Sequence, residues 1–271
     1  MAKVIALDAG HGLYTSGKQT PDGIKEWTLN DLVRDKVVVF LKDYDVDFVF
    51  PDNDEGTTDE GLTTRRTMYV NKKVDAAVSI HHNAYQGTWG SATGVEVYTD
   101  KNPTAADTKL AKAIYSRLPK YTGLRGRGIK KANWTVINQN SVPAVLTEGG
   151  FMDTKSDYAV ITTAKGQTAY ARAIAEGLIE FLGLDKKDSN PGVIYRVQTG
   201  AFRKKSNAVM LFNEVKAAGF DPRMVLYQGL YKVQIGAYTK KSNATAMVKK
   251  LQAAGFDACV TTSSGVFVPA K

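Results

Sequence analysis

Cysteine and histidine are nearly absent from this chain: of 271 residues one is Cys and three are His. A single cysteine, Cys259, excludes any intrachain disulfide, so folding does not depend on an oxidising compartment. Within Ala258-Cys259-Val260 it reads as a small buried residue. No apolar run approaches the roughly 18 residues of a membrane-spanning helix. Met1-Ala2-Lys3 runs straight into a strand pattern without an apolar leader. The expectation is a chain made in the cytoplasm, without a membrane span. Biased tracts are missing too, and 43% apolar residues with only 8 prolines exclude disorder and leave room for one large domain or two unequal ones. Excess charge is missing from most of the chain. Residues 193–271 hold 12 basic and 3 acidic side chains, while the first 192 are balanced at 24 of each, so the formal +9 belongs to the C-terminal segment. That asymmetry predicts a second domain facing a polyanion, whether nucleic acid, anionic membrane or anionic wall polymer, or else simply a soluble basic surface.

What is present is an alternation of strand and helix patterns. Val4 to Leu7 reads as a buried strand, followed by a Gly-rich loop over 10–23. Leu29, Leu32, Val33, Val37, Phe40 and Leu41 then recur at helical spacing, with Glu26 in or beside the first turn, where a carboxylate suits the helix dipole. Strands are predicted at 46–50, 76–80, 94–98, 134–137 and 144–146, with helices at 62–71, 105–118 (closed by Pro119) and 165–182. Arg125-Gly126-Arg127-Gly128 reads as a basic loop. The fold class is α/β: a mostly parallel mixed sheet covered by helices, over residues 1–182.

Gly183 to Gly192 is polar and turn-rich, a linker. Beyond it, in 193–271, Tyr195-Arg196-Val197-Gln198-Thr199-Gly200-Ala201-Phe202 returns as Tyr231-Lys232-Val233-Gln234-Ile235-Gly236-Ala237-Tyr238, an offset of 36. Lys204-Lys205-Ser206-Asn207-Ala208 and Ala217-Ala218-Gly219-Phe220-Asp221 return at the same offset. Each unit reads as strand, Ser or Asn helix cap, helix, Gly stop, strand. Two such units predict a small α+β, ferredoxin-like βαββαβ domain.

The scarce histidines sit where α/β proteins place chemistry. His11, in Asp8-Ala9-Gly10-His11-Gly12, follows the first strand, and His81 ends the third in Ser79-Ile80-His81-His82-Asn83-Ala84. Two histidines and one carboxylate are a recurring catalytic zinc set, with the fourth position left for water; His11, His81 and Glu26 fit it. They can meet only if the first and third strands lie close together. Glu148, in Leu146-Thr147-Glu148-Gly149-Gly150-Phe151, is the candidate for handling the proton, since it also follows a buried strand and two glycines leave space for substrate. Strand alternation turns His82 away from a metal held by His81. Asn83 is either a loop-fixing residue or a turn residue.

These residues carry a resemblance. Asp8-Ala9-Gly10-His11-Gly12, Glu26 with Asn30, Leu62-Thr63-Thr64-Arg65 with Asn71, Ser79 to Ala84, Arg127-Gly128 and Pro143 to Phe151 resemble, in order, the motifs of the zinc-dependent N-acetylmuramoyl-L-alanine amidases of the Amidase_3 type. The resemblance implies Zn2+ on His11, Glu26 and His81, Glu148 as catalytic carboxylate, and Asn83, Arg65 and Arg127 in substrate or supporting roles. It implies cleavage of the amide between N-acetylmuramic acid and the L-alanine of the stem peptide. His82 stands where the family often has a small residue, and no site-blocking helix is evident, which implies an open enzyme.

The C-terminal repeat resembles a SPOR domain, a peptidoglycan-binding module. Together the two parts are similar to sporulation amidases that lyse the mother cell and to phage endolysins, which implies a protein held in the cytoplasm until the membrane fails. Arg196, Gln198, Lys232 and Gln234, on the exposed phase of the paired strands, are the candidates for glycan contact, and Lys204-Lys205 and Lys240-Lys241 for anionic wall polymers. Two other readings stay open: another zinc peptidase acting on stem peptides, and an RNA-recognition module, whose plan is also a basic βαββαβ sheet with aromatics. Against nucleic acid, Tyr195 and Tyr231 fall on the apolar phase.

Overall fold

Strand β1 (Lys3–Ala9) occupies the interior of a sheet of order β2-β1-β3-β6-β4-β5 in the computed structural model, which describes residues 2–138, 141–187 and 192–270. Its partners are β2 (Val46–Val49) and β3 (Ala76–Asn83), both parallel to it, and β6 (Ala144–Phe151) lies parallel to β3. β4 (Val95–Asp100) runs antiparallel to β6 and parallel to the edge strand β5 (Gly126–Ala132). The sheet is therefore mixed and mostly parallel, as the alternation of elements predicts. β1 and β3 are neighbours, the condition on which the two histidines can meet.

Helix α1 (Glu26–Leu41) buries Leu29, Val33, Val37 and Leu41 in the larger core, together with Leu110 and Ile114 of α3 (Ala105–Tyr115) and Tyr170, Ile174 and Leu178 of α6 (Ala164–Leu182). On the other side of the sheet α2 (Leu62–Asn71) lays Tyr69 against Ala6, Ala77, Ala144 and Leu146. Strands covered on both faces explain the apolar runs of β1, β3 and β6, which carry little alternation.

Several expectations change. The segment read as a basic loop opens β5, where Gly128 (φ 97°) sits beside the irregular register between Val95 and Val97; an exposed edge strand has no apolar face to reveal it. Trp134 to Ile137 is a turn that drops Val136 and Ile137 into the smaller core. Pro119 stands in the first turn of a short helix α4 (Leu118–Thr122), where its missing N–H costs nothing. Helix α5 (Lys155–Ile161) is an addition the periodicity does not show.

The chain divides into two units, Met1–Lys186 and Lys187–Lys271. Of the expected linker, Asp188 to Pro191 lie outside the described residues. The second unit runs β7 (Tyr195–Phe202), α7 (Lys205–Ala217), β8 (Pro222–Tyr227), β9 (Leu230–Tyr238), α8 (Lys241–Ala253), β10 (Cys259–Thr261) and β11 (Val266–Phe267). Its antiparallel order β10-β7-β9-β8 is that of a ferredoxin-like βαββαβ sheet, extended by β11 beside β8. Tyr195 and Tyr231 pack against its two apolar clusters and are not displayed as base-stacking rings. The expected Ser or Asn caps fail: Lys204 and Lys240 are the N-caps, without side-chain bonds, and Ser206 and Ser242 enter the helices. Gly219 and Gly255 do stop them, at φ 88° and 87°. Cys259 is exposed, because β10 is an edge strand, and not buried as its neighbours suggest.

Candidate metal centre

Parallel pairing of β1 with β3 sets Asp8 opposite Ser79 and Ala9 opposite Ile80, so the chain leaves both strands at one sheet end carrying His11 and His81. Glu26, the first residue of α1, enters from the loop between. His11 Nε2 lies 3.4 Å from Glu26 Oε2 and His81 Nδ1 3.1 Å from Glu26 Oε1, and the imidazoles meet edge to face at 4.9 Å between centroids. All three ligand atoms fall within 4.8 Å of one another. Tetrahedral zinc with ligands near 2.0–2.1 Å sets its donors about 3.3 Å apart, so two imidazoles and a carboxylate at these separations suit such an ion.

Protonation agrees. Burial pushes His11 down to about 4, outweighing the pull of Glu26, so the ring is neutral at physiological pH. Burial works against ionised Glu26, yet the hydrogen bond and charge of His81 hold its carboxyl down, to about 2. The neutral His11 imidazole and the ionised Glu26 carboxylate are the forms that bind metal.

Glu148 faces this set from β6, where its Cα pairs with that of His81. The side chain is buried, and its Oε2 has no hydrogen-bond partner. Burial, reinforced by the charges of Glu26 and Glu96, lifts its carboxyl well above the usual carboxylate range. A buried polar atom without a partner costs free energy, and one on the residue paired with His81 makes Glu148 the candidate to meet water or substrate.

The scaffold beneath is polar and closed. Ser79 Oγ bridges His81 Nε2 (3.2 Å) and Asp8 Oδ2 (2.9 Å), and Tyr69 also donates to Asp8 (3.0 Å). Arg65, buried, pairs with Asp8 and donates to the carbonyls of Ala9 and His11, both at 2.9 Å. It thereby fixes the loop on which His11 sits at φ 67°, a left-handed conformation costly for a residue with a Cβ. Arg65 thus shapes the site from below. Replacing it with leucine strands Asp8 as an unpaired buried charge, and urea unfolding should show a loss of about 3–5 kcal/mol.

His82 resolves as the alternation of strand faces predicts. Its ring is buried away from the ligands, Nδ1 donating to Asn30 Oδ1 at 2.8 Å, while its backbone N–H reaches Glu26 Oε1 at 3.2 Å. Asn30 Nδ2 bonds Gly10 O and Glu26. Burial holds His82 down at about 4, against 6.5 when exposed. The unfolded chain therefore binds the extra proton first. Stability present above pH 6.5 is lost as pH falls towards 4, on the order of 3 kcal/mol for this one ring. In chelator-treated protein, His82→Gln should flatten the acid limb of the stability curve measured by urea unfolding at pH 7 and pH 4.5.

The other predicted residues are spread more widely. Asn83 is half-buried and accepts the Met152 N–H on its carbonyl (2.7 Å). Arg127 lies against Glu96, its guanidinium 5.1 Å from the Phe151 ring centroid, and outside the His11–Glu26–His81 cluster. Sequence reasoning missed Glu96, the Cα partner of Glu148 across β4 and β6, held ionised by Lys130, Tyr98 and Arg127. A charge between the buried Val95 and Val97 was the available signal. Tyr170, whose hydroxyl reaches His81 O (3.2 Å) and Thr147 Oγ1 (2.7 Å), gave none.

In the second unit, Gln234 is buried and donates to Ser263 O (3.2 Å), and Lys232 reaches Ser263 Oγ (3.3 Å) and lies over the Tyr227 ring. The segment through Ser263 thus covers part of a face expected to be open. Arg196 and Gln234, with Asp221 and Arg223, line a groove of about 360 Å³ on the sheet. Gln198 is half-buried on β7.

Comparison with known proteins follows the same division. Residues 5–180 match the family model for N-acetylmuramoyl-L-alanine amidase and residues 191–262 that for the SPOR domain. Over 226 residues the chain is 35% identical to the sporulation-specific N-acetylmuramoyl-L-alanine amidase of Bacillus subtilis (strain 168), covering 82% of this chain and 84% of that protein. It is 36% identical over 190 residues to the endolysin of Bacillus phage SPP1, 69% of each. Among solved structures, the N-acetylmuramoyl-L-alanine amidase from Clostridium difficile 630 superposes with a TM-score of 0.63 at 30% identity, covering 67% of this chain and 97% of that one.

Proposed function

The chain belongs to the N-acetylmuramoyl-L-alanine amidase family and carries a C-terminal SPOR domain, and from that premise we propose that it is a zinc-dependent hydrolase cutting the bond between N-acetylmuramic acid and L-alanine in peptidoglycan. The observation that carries the reading is the convergence of His11, Glu26 and His81 opposite the partnerless carboxyl of Glu148.

Zinc held by those three side chains would supply a Lewis acid for the amide carbonyl and an activated water. The remaining work falls to the protein. Glu148, with its raised proton affinity, takes the proton released as water attacks and delivers it to the leaving alanine nitrogen. Water adds to the carbonyl carbon, the C–N bond breaks, and the products are the muramic lactyl carboxylate and a free amine. Ser79, Asn30 and Tyr170 hold His81 and Glu26 in place.

The SPOR domain brings this site to the wall, and its concentration of basic residues suits anionic wall polymers. Of its four candidates Arg196, Gln198 and Lys232 are proposed for glycan contact, whereas Gln234 is buried against Ser263. The likeness to an endolysin and a sporulation-specific amidase supports a protein that waits in the cytoplasm until the membrane fails.

The test digests defined peptidoglycan and weighs the products. An amidase frees an L-alanine amino terminus and leaves glycan intact, whereas a stem-peptide peptidase leaves alanine on the sugar. Chelation should abolish activity and added zinc restore it; full activity in metal-free protein sinks the zinc assignment.

A further inference from the structure

We propose that Trp89, on the loop between β3 and β4, is a stacking platform that holds a pyranose ring of the glycan strand beside the metal centre; this rests on the amidase reading above. The loop leaves β3 just after His81 and rejoins the sheet at β4 beside Glu96 and Glu148. It is braced from below: Asp153 Oδ2, buried, accepts the backbone N–H groups of Tyr85, Gln86 and Gly87 at 2.7, 2.8 and 3.0 Å, and the Gly90 N–H donates to Asp153 O at 2.7 Å.

That bracing presents an indole to solvent. Trp89 is 42% exposed, its ring perpendicular to that of Tyr158 of α5 at 5.3 Å between centroids. Tyr158 in turn donates to Asp22 Oδ2 at 2.6 Å, on the loop that leads into Glu26. The connections that follow β1, β3 and β6, each of which delivers a residue of the centre, are thus tied into one rim with Trp89 on it. Nothing in the core requires a large exposed ring at this point, and holding it there costs apolar exposure.

The chemistry of the rim matches a sugar. A pyranose has an apolar C–H face and a girdle of hydroxyls, and an indole offers a flat apolar face with a polar edge. The Lys155 ammonium, over the Trp89 ring at 5.9 Å from its centroid, and the Asp22 carboxylate, which also accepts from Tyr158 and Thr20, supply a donor and an acceptor for the hydroxyls. A peptide stem would gain less from this pairing of flat ring and flanking charges.

The test compares wild type, Trp89→Ala and Trp89→Tyr in the zinc-loaded full chain, on soluble glycan–peptide strands and on a lactoyl-L-alanyl peptide that has the scissile amide but no sugar. Trp89→Ala should raise KM on the strands about tenfold with kcat unchanged, as loss of a buried-ring contact does. Trp89→Tyr should recover most of that loss, and kcat/KM on the sugar-free peptide should not move. An unchanged KM on the strands, or a fall in kcat there, overturns the platform. So does an equal loss on the sugar-free peptide. If wild type does not cleave that peptide, the KM-against-kcat split on the strands decides. Failure of wild type to free any L-alanine amino terminus from the strands would instead sink the amidase reading.

Discussion

Glu148→Gln lowers turnover by about three orders of magnitude while metal content and unfolding midpoint stay at their wild-type values. Glutamine keeps the shape of the side chain, so the cavity opposite His81 does not collapse. What it loses is the ability to take up a proton and give it back. The wild-type carboxyl is buried, without a partner for Oε2, and pushed towards its protonated form by burial and by the charges of Glu26 and Glu96. Removing an ionisable group whose Oε2 no hydrogen bond holds costs the fold little. The decisive measurement pairs rates on peptidoglycan with bound zinc per chain. Loss of zinc in the variant would mean that Glu148 is a ligand and that Glu26, or another group, handles the proton.

Gly10→Ala should be nearly as damaging to activity through a different route. A Cβ at position 10 would stand 2.0 Å from His81 Cε1 and 2.2 Å from its Nε2, far inside van der Waals contact. The ring cannot swing aside cheaply, since Glu26 holds one nitrogen and Ser79 the other. Gly10 itself is tied to the sheet by its N–H to Ile80 O at 3.0 Å and its carbonyl to Asn30. The strain therefore falls on the ligand geometry. Zinc affinity should drop by about 100-fold or more, because metal sites tolerate little displacement of their donors. Competition with a chromophoric chelator measures it. Wild-type affinity in Gly10→Ala would show that His81 is free to move and that the spacing of the three donors is not held by the protein.

Much of the fold was legible because burial leaves a pattern. The apolar runs of β1, β3 and β6 and the helical spacing of α1 and α6 follow from sides facing a dry core, and the offset of 36 exposes the second unit directly. Where elements are exposed the pattern vanishes. β5 looked like a basic loop because both its faces carry charge or glycine, and Trp134 to Ile137 looked like a strand because a buried turn is apolar too. The same limit hid the covering of Gln234, since Ser263 lies 29 residues further along and only folding brings it there.

The sequence by itself determined the inventory of the centre: two histidines at strand ends, a carboxylate opening α1 and a second one on β6, in a chain almost empty of other histidine. Only the tertiary structure decided that they meet. The parallel pairing of β1 with β3, and of β3 with β6, sets the register that places His81 against Glu148 and turns His82 to the far side. It also decided what supports them, the Arg65–Asp8–Ser79 chain under His81 and Glu96 beside Glu148. The reason is physical. Local pattern records which side chains leave water, whereas the approach of two charged or polar groups from distant segments is a property of packing, and leaves no period in the chain to read.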